Sequence, residues 1–393
     1  MKVGPLARYL TLILATAVAA VAANRNSPST YVQLATLYPS DATANSSFGN
    51  PMAASGNTVV VGDISDGAAY VFVKPATGWQ NATQVAKLTP SVSAGFFGGS
   101  VAISGNTIVV GALYAHSDAG VVFVFVEPAG GWTDMTETAQ LTGTSSFGLG
   151  DSVAMSGDTI VAGSEYAGYV YEKPATGWVD MTEIAQLNST ALGSGSPVAI
   201  SGNTIIVVAG GCCNEGQPSP GEADVFVKPS GGWVTSQLPN AVLTGSDETA
   251  ADYYGTAVSM SDDTVVVGSY YHRNQIGAAY VFVKPKLGWE SMTQTAELTP
   301  PKGQSGYQFG SAVAIVGNII AVGSNGYAGG DDLYVYDKPA SGWQTTSRSA
   351  AKISGPDGAS LGNCVGIGAG IVLGCGSATI NQQLEGAVFV FGP

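Results

Sequence analysis

Only two of the 393 residues are histidine, and one of them, His272, stands in the stretch SYYHRNQIG (269–277) beside Tyr270, Tyr271 and Arg273. A second polar stretch, SDETAADYY (246–254), supplies Asp247, Glu248, Asp252 and Tyr253. Tyrosine faces and the planar fork of an arginine are groups that stack on, and hydrogen-bond to, a sugar or a peptide. Carboxylates add acceptors. The opposing reading is that these are solvated loop tips, since connections are polar by default. For His272 and His116 that surface-loop reading is the one the sequence favours. A third irregular stretch, GGCCNEGQPSPGE (210–222), holds Cys212 and Cys213. No nucleophile elbow, P-loop, dinucleotide fingerprint or zinc motif is read in the chain, and no C-x-x-C occurs. The chain is therefore expected to carry no catalytic residue and no zinc.

The elements that must position such loops follow from composition. Charged residues make up 11 %, glycine 54 positions and hydrophobic residues 45 %, with valine, threonine and tyrosine prominent. That balance suits short strands joined by tight turns. The formal charge of −14 becomes −16 if Lys2 and Arg8 are removed. A surface of that sign repels nucleic acid and anionic membranes, so neither is expected as a partner. Lys2 and Arg8 precede an apolar run, YLTLILATAVAAV (9–21), and Ala20-Val21-Ala22 has the small-residue pattern of a cleavage site. The run falls short of the roughly 20 residues a membrane span needs. Residues 1–23 thus read as an export signal cut near Ala22 or Ala23, with a retained anchor as the alternative. Residues 24–393 read as one exported domain without stable membrane insertion, extracellular, or periplasmic or cell-surface in a bacterium.

That domain is repetitive. GAAYVFVKPATGW (67–79) returns as GAAYVFVKPKLGW (277–289), and looser copies place all six tryptophans, Trp79, Trp132, Trp178, Trp233, Trp289 and Trp343, at one position. A residue repeated once per copy reads as packing, not as a ligand platform. Each copy continues into an A-x-L segment such as QTAELTP (294–300), then an aromatic-Gly pair and two strands about a tight turn, as in FGGSVAISGNTIVVGA (97–112). Seven such turns, around Gly56, Gly105, Gly157, Gly202, Asp262, Gly317 and Ala369, count seven copies. Period-2 alternation gives each strand two faces, and repeats of this length with four strands apiece point to a propeller. The last copy, EGAVFVFGP (385–393), lacks its A-x-L strand, while YVQLATLYP (31–39) near the N-terminus begins with one. The fold expected is all-β: a seven-bladed β-propeller of four-stranded antiparallel blades, the last closed by the N-terminal strand.

The pairs Phe48-Gly49, Phe97-Gly98, Phe147-Gly148, Tyr254-Gly255 and Phe309-Gly310, each followed by a V-x-G element, resemble the FG-GAP repeats of integrin α-chain heads and secreted bacterial proteins. The resemblance implies an extracellular propeller that binds other molecules. It departs from the family in two places. The proline of the G-A-P element is absent, and the hairpin that holds the family's calcium is here a short S-G-N turn. Calcium takes six to eight oxygens, so the family's sites are not carried over. The nearest acidic fragment is Asp63 and Asp66 in GDISDG. No metal or other cofactor is expected, with calcium left open only there.

Four cysteines in an exported chain invite disulfides. Cys364 and Cys375 lie symmetrically about Ala369-Gly370 and would face each other across a hairpin, although at a hydrogen-bonded position, where the Cα atoms stand farther apart. Cys212 and Cys213 could bridge each other, pair between molecules or stay free. Asn45, Asn81 and Asn188 head sequons that matter only in a eukaryotic secretory pathway. The leading functional reading is a non-catalytic binding or adhesion scaffold that recognises protein or glycan through Asp247, Asp252, Tyr253, Tyr270, Tyr271, His272 and Arg273. The alternative is a propeller enzyme of hydrolase or lyase type with its site at the mouth of the central channel, and a third is a structural envelope protein with no selective ligand.

Overall fold

Runs such as TVVVGS (264–269) and AAYVFV (278–283) are apolar at nearly every position, which a strand tolerates only when both its faces are covered. The computed structural model shows what covers them. It describes residues 30–41, 46–165, 167–189, 197–209, 213–214, 217–218, 220–327, 330–356, 359–380 and 383–393. Seven antiparallel blades follow one another around a ring. Blades 1 to 6 begin at Met52, Phe97, Ser152, Val198, Tyr254 and Phe309. Blade 7 is formed by Val365–Gly368, Ile371–Ile380 and Gln383–Gly392, with Val32–Leu37 as its outermost strand. Leu37 pairs with Val388 and Val32 with Gly392, so the two ends of the chain meet in one sheet. The export signal expected over residues 1–23 lies outside the described residues.

Each interface between neighbouring blades is its own core. Val60, Ala69 and Val71 of blade 1 pack with Val101, Ile103, Val110 and Phe123 of blade 2. Val59, Val61, Tyr70 and Phe72, the alternate residues of the same blade 1 strands, pack with Leu373, Val388 and Val390 of blade 7. Strand alternation therefore decides which neighbour a side chain meets, not whether it meets water. Only the outermost A-x-L strands keep a period-2 burial pattern, as in Ala185–Asn188. Their free edge is covered by parallel pairing to the next blade's approach segment, Leu243 with Met292 and Leu88 with Met135 among others. Paired edges offer no template for aggregation. Trp132, Trp178, Trp233 and Trp343 are buried within these inter-blade cores, which is the packing role their repetition implied.

The S-G-N turns are two-residue hairpins, Ser104 pairing with Thr107 across Gly105 and Asn106. Gly105 takes φ of 58°, the left-handed region open to glycine. The serine has a second task that crosses blades. Its Oγ accepts a hydrogen bond from the first turn amide of the following blade: Ser55 from Gly105, Ser104 from Gly157, Ser156 from Gly202, Ser201 from Asp262 and Ser261 from Gly317. Val316 stands in the serine position of blade 6, so the series stops before blade 7.

On the opposite rim a second set of links joins blades. The Glu137 carboxylate accepts from the amide and hydroxyl of Ser91, and the Glu183 carboxylate accepts likewise from Thr144. Burial alone would raise both carboxyls, but the hydrogen bonds from Ser91 and Gln140, and from Thr144 and Gln186, outweigh it and hold them below their usual range. A depressed folded value means the stabilisation is complete above the ordinary carboxyl value of 4.5 and is lost as pH falls through the folded value. The double variant Glu137→Gln, Glu183→Gln is expected to flatten the acid limb of a melting-temperature profile between about pH 5 and 3. An unchanged acid limb would refute the assignment. Gln84 and Gln294 fill the same position in blades 1 and 5, so the amide is compatible with the fold.

Candidate functional site

The rim carrying the variable loops brings two distant stretches together at the entry to blade 5. The connection that leaves blade 4 supplies Asp247, Glu248 and Asp252. The loop between the second and third strands, Thr264–Ser269 and Ala278–Val283, supplies Tyr270, Tyr271, His272 and Arg273. That loop is a tight left-handed turn: Arg273, Asn274 and Gln275 all have positive φ, and the Gly277 amide closes it onto the His272 carbonyl at 2.9 Å. The turn drives His272 inward until it is only 3 % exposed. This corrects the surface-loop reading of His272. Asp252 is likewise buried, not a solvated tip.

His272 faces three carboxylates. Nδ1 lies 3.3 Å from Asp252 Oδ2 and 3.7 Å from Glu248 Oε1, and Nε2 lies 3.4 Å from Asp247 Oδ2. Arg273 bridges the outer part of the group, contacting Asp247 at 2.7 Å and Glu297 at 3.2 Å. The Tyr280 hydroxyl donates to Asp247 at 3.0 Å. Burial, reinforced by the Asp252 charge, pushes the Glu248 carboxyl up to about 7, against hydrogen bonds from Tyr280 and Ser269 and the field of His272. Burial also raises Glu297. Asp247 goes the other way, because Arg273 and Tyr280 outweigh its own burial and hold it below the usual carboxylate range. Above this floor, Tyr253, Tyr270 and Tyr271 form a packed trio with ring centroids 4.8 to 5.4 Å apart. Arg273 remains half exposed beside them.

Blade 2 shows what this corner looks like without the polar groups. Its loop 112–120 forms the same left-handed turn, with positive φ at His116, Ser117 and Asp118 and the Gly120 amide closing on the Ala115 carbonyl at 3.0 Å. The Tyr114 amide donates to the Gly95 carbonyl at 3.2 Å, as the Tyr271 amide does to Asp252. Superposing the two turns residue by residue puts Gly95, Ala115, Phe123 and Gln140 where blade 5 has Asp252, His272, Tyr280 and Glu297. The backbone is content with the neutral set, so the fold does not require the charged one. Of the group, Glu297 and Tyr280 were missed as site residues. Both sit inside strands and look like ordinary repeat positions. The signal was there in the repeats: the x of A-x-L reads Thr36, Lys87, Gln140, Gln186, Val242 and Lys352 elsewhere, and an acid only at Glu297.

The other sequence candidates are dispersed. Asp63 is fully buried and closes its own loop, accepting from the amides of Ser65 and Asp66, while Asp66 accepts from the Tyr70 hydroxyl. That is a capped turn, not a cage of oxygens. Cys364 and Cys375 form a disulfide with Cα atoms 5.6 Å apart, the separation of a hydrogen-bonded cross-strand pair. Cys212 and Asn45 lie outside the described residues, and of Cys213 only the backbone pairing with Pro218 is described. Asn81 is exposed, its side-chain carbonyl accepting from the Thr36 amide, and Asn188 is half-buried in the outermost strand of blade 3. The letters G-x-S-x-G occur once, at GASLG (358–362), but Ser360 leads into the hairpin of blade 7, not into a helix. Ser360 also lines a recess of about 640 Å³ over blade 7, with Thr36, Ser47, Asn50, Asn363 and Ser377. Its described lining is uncharged.

Among the described residues, the innermost strands that meet around the channel carry no charged side chain, and exposed Asp151 stands just ahead of the first strand of blade 3. No helix among the described residues is long and apolar enough to cross a membrane.

Comparison with known proteins bears on the scaffold. No curated protein matches the sequence. A computationally designed protein, Ika8, superposes with a TM-score of 0.52 at 16 % identity, over 92 % of this chain and 99 % of that one. The WD40 domain of Toxoplasma gondii coronin gives 0.54 at 11 % identity, over 87 % and 81 %. Identities this low speak for the fold alone. The FG-GAP repeat family model matches residues 19–72, 82–125, 239–282 and 292–336. Each matched segment takes in the outermost strand of one blade and ends in the third strand of the next, an offset that leaves blade 7 to be completed from the N-terminus. With four matched repeats among seven blades of one build, the chain is an FG-GAP repeat β-propeller.

Proposed function

We propose that the chain is an exported, non-catalytic binding scaffold that takes a protein or glycan on the rim of variable loops, centred on the entry to blade 5. The observation that carries this reading is the tyrosine trio with Arg273 beside it, set on a buried charged floor that the fold itself does not need. Rigid aromatics flanked by an arginine are the residue types that dominate binding energy at interfaces, because they offer large contact area at low entropic cost. The uncharged recess over blade 7, lined by hydroxyls and amides, lies on the same rim and suits a neutral polar ligand such as a sugar. A channel lined by uncharged strands offers little to polarise a substrate, which favours binding over catalysis.

A glycan array and a pull-down from extracellular extracts, each run with the parent chain and with Tyr270→Ala, Tyr271→Ala, Arg273→Ala, test the assignment. The expected result is a defined ligand whose affinity falls at least tenfold in the triple variant. Equal binding by both forms would place the ligand elsewhere and sink the rim site.

A further inference from the structure

The charged floor of blade 5 contains two overlapping sets of groups around His272. The outer set, Asp247, Glu297 and the Nε2 side of His272, already holds a cation, since the Arg273 guanidinium lies against both carboxylates. The inner set, Glu248, Asp252 and Nδ1 of His272, has no such partner. We propose that these three side chains bind a divalent transition-metal ion of the zinc class.

Four observations support the inner set. The Glu248 side chain is 2 % exposed and its Oε1, directed at His272 Nδ1, has no hydrogen-bond donor. The His272 side chain is 4 % exposed and its Nδ1 lies 3.3 and 3.7 Å from the two carboxylate oxygens. The Asp252 contact is a long hydrogen bond, since a charge-assisted N–H···O bond would be about 2.7–2.9 Å. By contrast, ligands at roughly 2.0–2.1 Å from a tetrahedral zinc stand about 3.3 Å apart, the edge of the tetrahedron those bond lengths define. The supporting contacts are also those of a metal site. On the far side of the ring Nε2 lies 3.4 Å from Asp247 Oδ2 and has no hydrogen bond of its own, so a metal on Nδ1 would take the place of the Nδ1–Asp252 contact and put the ring proton on the Asp247 side. Ser269 Oγ donates to Glu248 Oε2 at 3.0 Å, and the Thr249 amide and hydroxyl donate at 2.6 and 2.8 Å to Asp252 Oδ2, the oxygen that faces Nδ1 and that the ion would share with them. The imidazole favours a zinc-type ion over calcium, which takes oxygen ligands. Finally, blade 2 builds the same turn with Gly95 and Ala115 at the Asp252 and His272 positions, so neither side chain is there to make the turn. Three ligands leave a fourth position for water or for a group of whatever docks on the rim. The metal would tie the blade 4 to 5 connection to the left-handed turn, and it needs no rim ligand to do so.

The site calls for a titration of metal-stripped full chain carrying Cys212→Ser and Cys213→Ser, so that thiols cannot compete. Zinc, manganese and calcium are each added alone and followed by calorimetry. A His116→Gln background leaves His272 as the single imidazole for NMR. One equivalent of zinc is expected to bind, to shift the His272 ring signals and to raise the melting temperature. Glu248→Gln and Asp252→Asn should each weaken binding at least tenfold, while Glu297→Gln, in the outer set, should leave it within threefold. Absence of stoichiometric binding at 100 μM zinc overturns the site. So does binding that survives both inner-set substitutions or leaves the His272 signals unmoved. The NMR readout keeps the test decisive if a substituted chain folds poorly, because it is made on the parent site.

Discussion

Gly268→Ala is expected to lower the stability of the ring by about 4 kcal/mol, beyond the usual range for an added methyl group in a core. Gly268 ends the V-x-G element of blade 5, and a Cβ placed on it would stand 2.0 Å from the carbonyl oxygen of Gly310, the glycine of the aromatic-Gly pair in blade 6. The same approach recurs at Gly62 with Gly98, Gly111 with Gly150 and Gly323 with Gly362. At these four interfaces backbone lies directly on backbone; the partner belongs to an aromatic-Gly pair at Gly98 and Gly310, while in blades 3 and 7 Leu149-Gly150 and Leu361-Gly362 take that place, so the Phe147-Gly148 reading is corrected, Phe147 being exposed. A flexible side chain could turn aside, but a carbonyl cannot without parting the blades. Gly105→Ala is the internal control. Nothing lies within 4 Å of its new Cβ, and the cost is only that of holding alanine at positive φ, roughly 1 kcal/mol. Urea unfolding of the two variants beside the parent measures both. Equal losses would mean that the glycine–glycine contact has no special weight.

That contact marks the boundary of what the sequence could disclose. The seven copies, the split repeat and the tight turns were legible because each is a local pattern, and the register of Val32–Leu37 on Gln383–Gly392 follows from them. The aromatic-Gly and V-x-G pieces were visible as motifs, but their meaning lies between blades, some 40 residues apart (Gly268 and Gly310), and no local rule joins them. The serine of S-G-N is similar: within its own hairpin it looks like a turn former, while its hydroxyl serves the next blade. Period-2 alternation gives each strand two faces without saying what covers them, and in a propeller each face meets a different neighbouring blade. For the site, Asp247, Asp252, His272 and Arg273 were each legible as polar loop residues of a binding rim, but not as one group with His272 and Asp252 buried at its centre. Burial of His272 depends on three successive positive-φ residues that carry no glycine, so nothing in the letters announced the turn.

A comparison of His272→Ala alone with the combined variant Glu248→Gln, Asp252→Gly, His272→Ala, Tyr280→Phe, Glu297→Gln separates the fold's needs from the site's. The single change, in metal-free buffer at pH 8, should cost roughly 3–5 kcal/mol, since it leaves a cavity and takes the buried imidazole away from two buried carboxylates. Glu248 and Asp252 would then face each other with no imidazole between them. The combined change gives blade 5 the four neutral residues that blade 2 already uses, with an amide in place of the Glu248 carboxyl, and should return stability to within about 1 kcal/mol of the parent, since replacing a whole buried ionic group is often neutral or stabilising. The five effects are thus strongly non-additive, as expected for groups in mutual contact. Arg273 keeps Asp247 as its partner, so no new orphan charge appears. The pH dependence has a definite sign. Glu248 already has its folded value raised to about 7, so its contribution is complete at low pH and is lost as pH rises through that value. Removing His272 takes away a neighbour that opposes the rise. The loss in His272→Ala should accordingly be smaller at pH 5, where Glu248 takes up a proton, than at pH 8. A combined variant less stable than the single one would show that the charged floor is a structural requirement of blade 5, and the case for a binding role of those residues would fall with it.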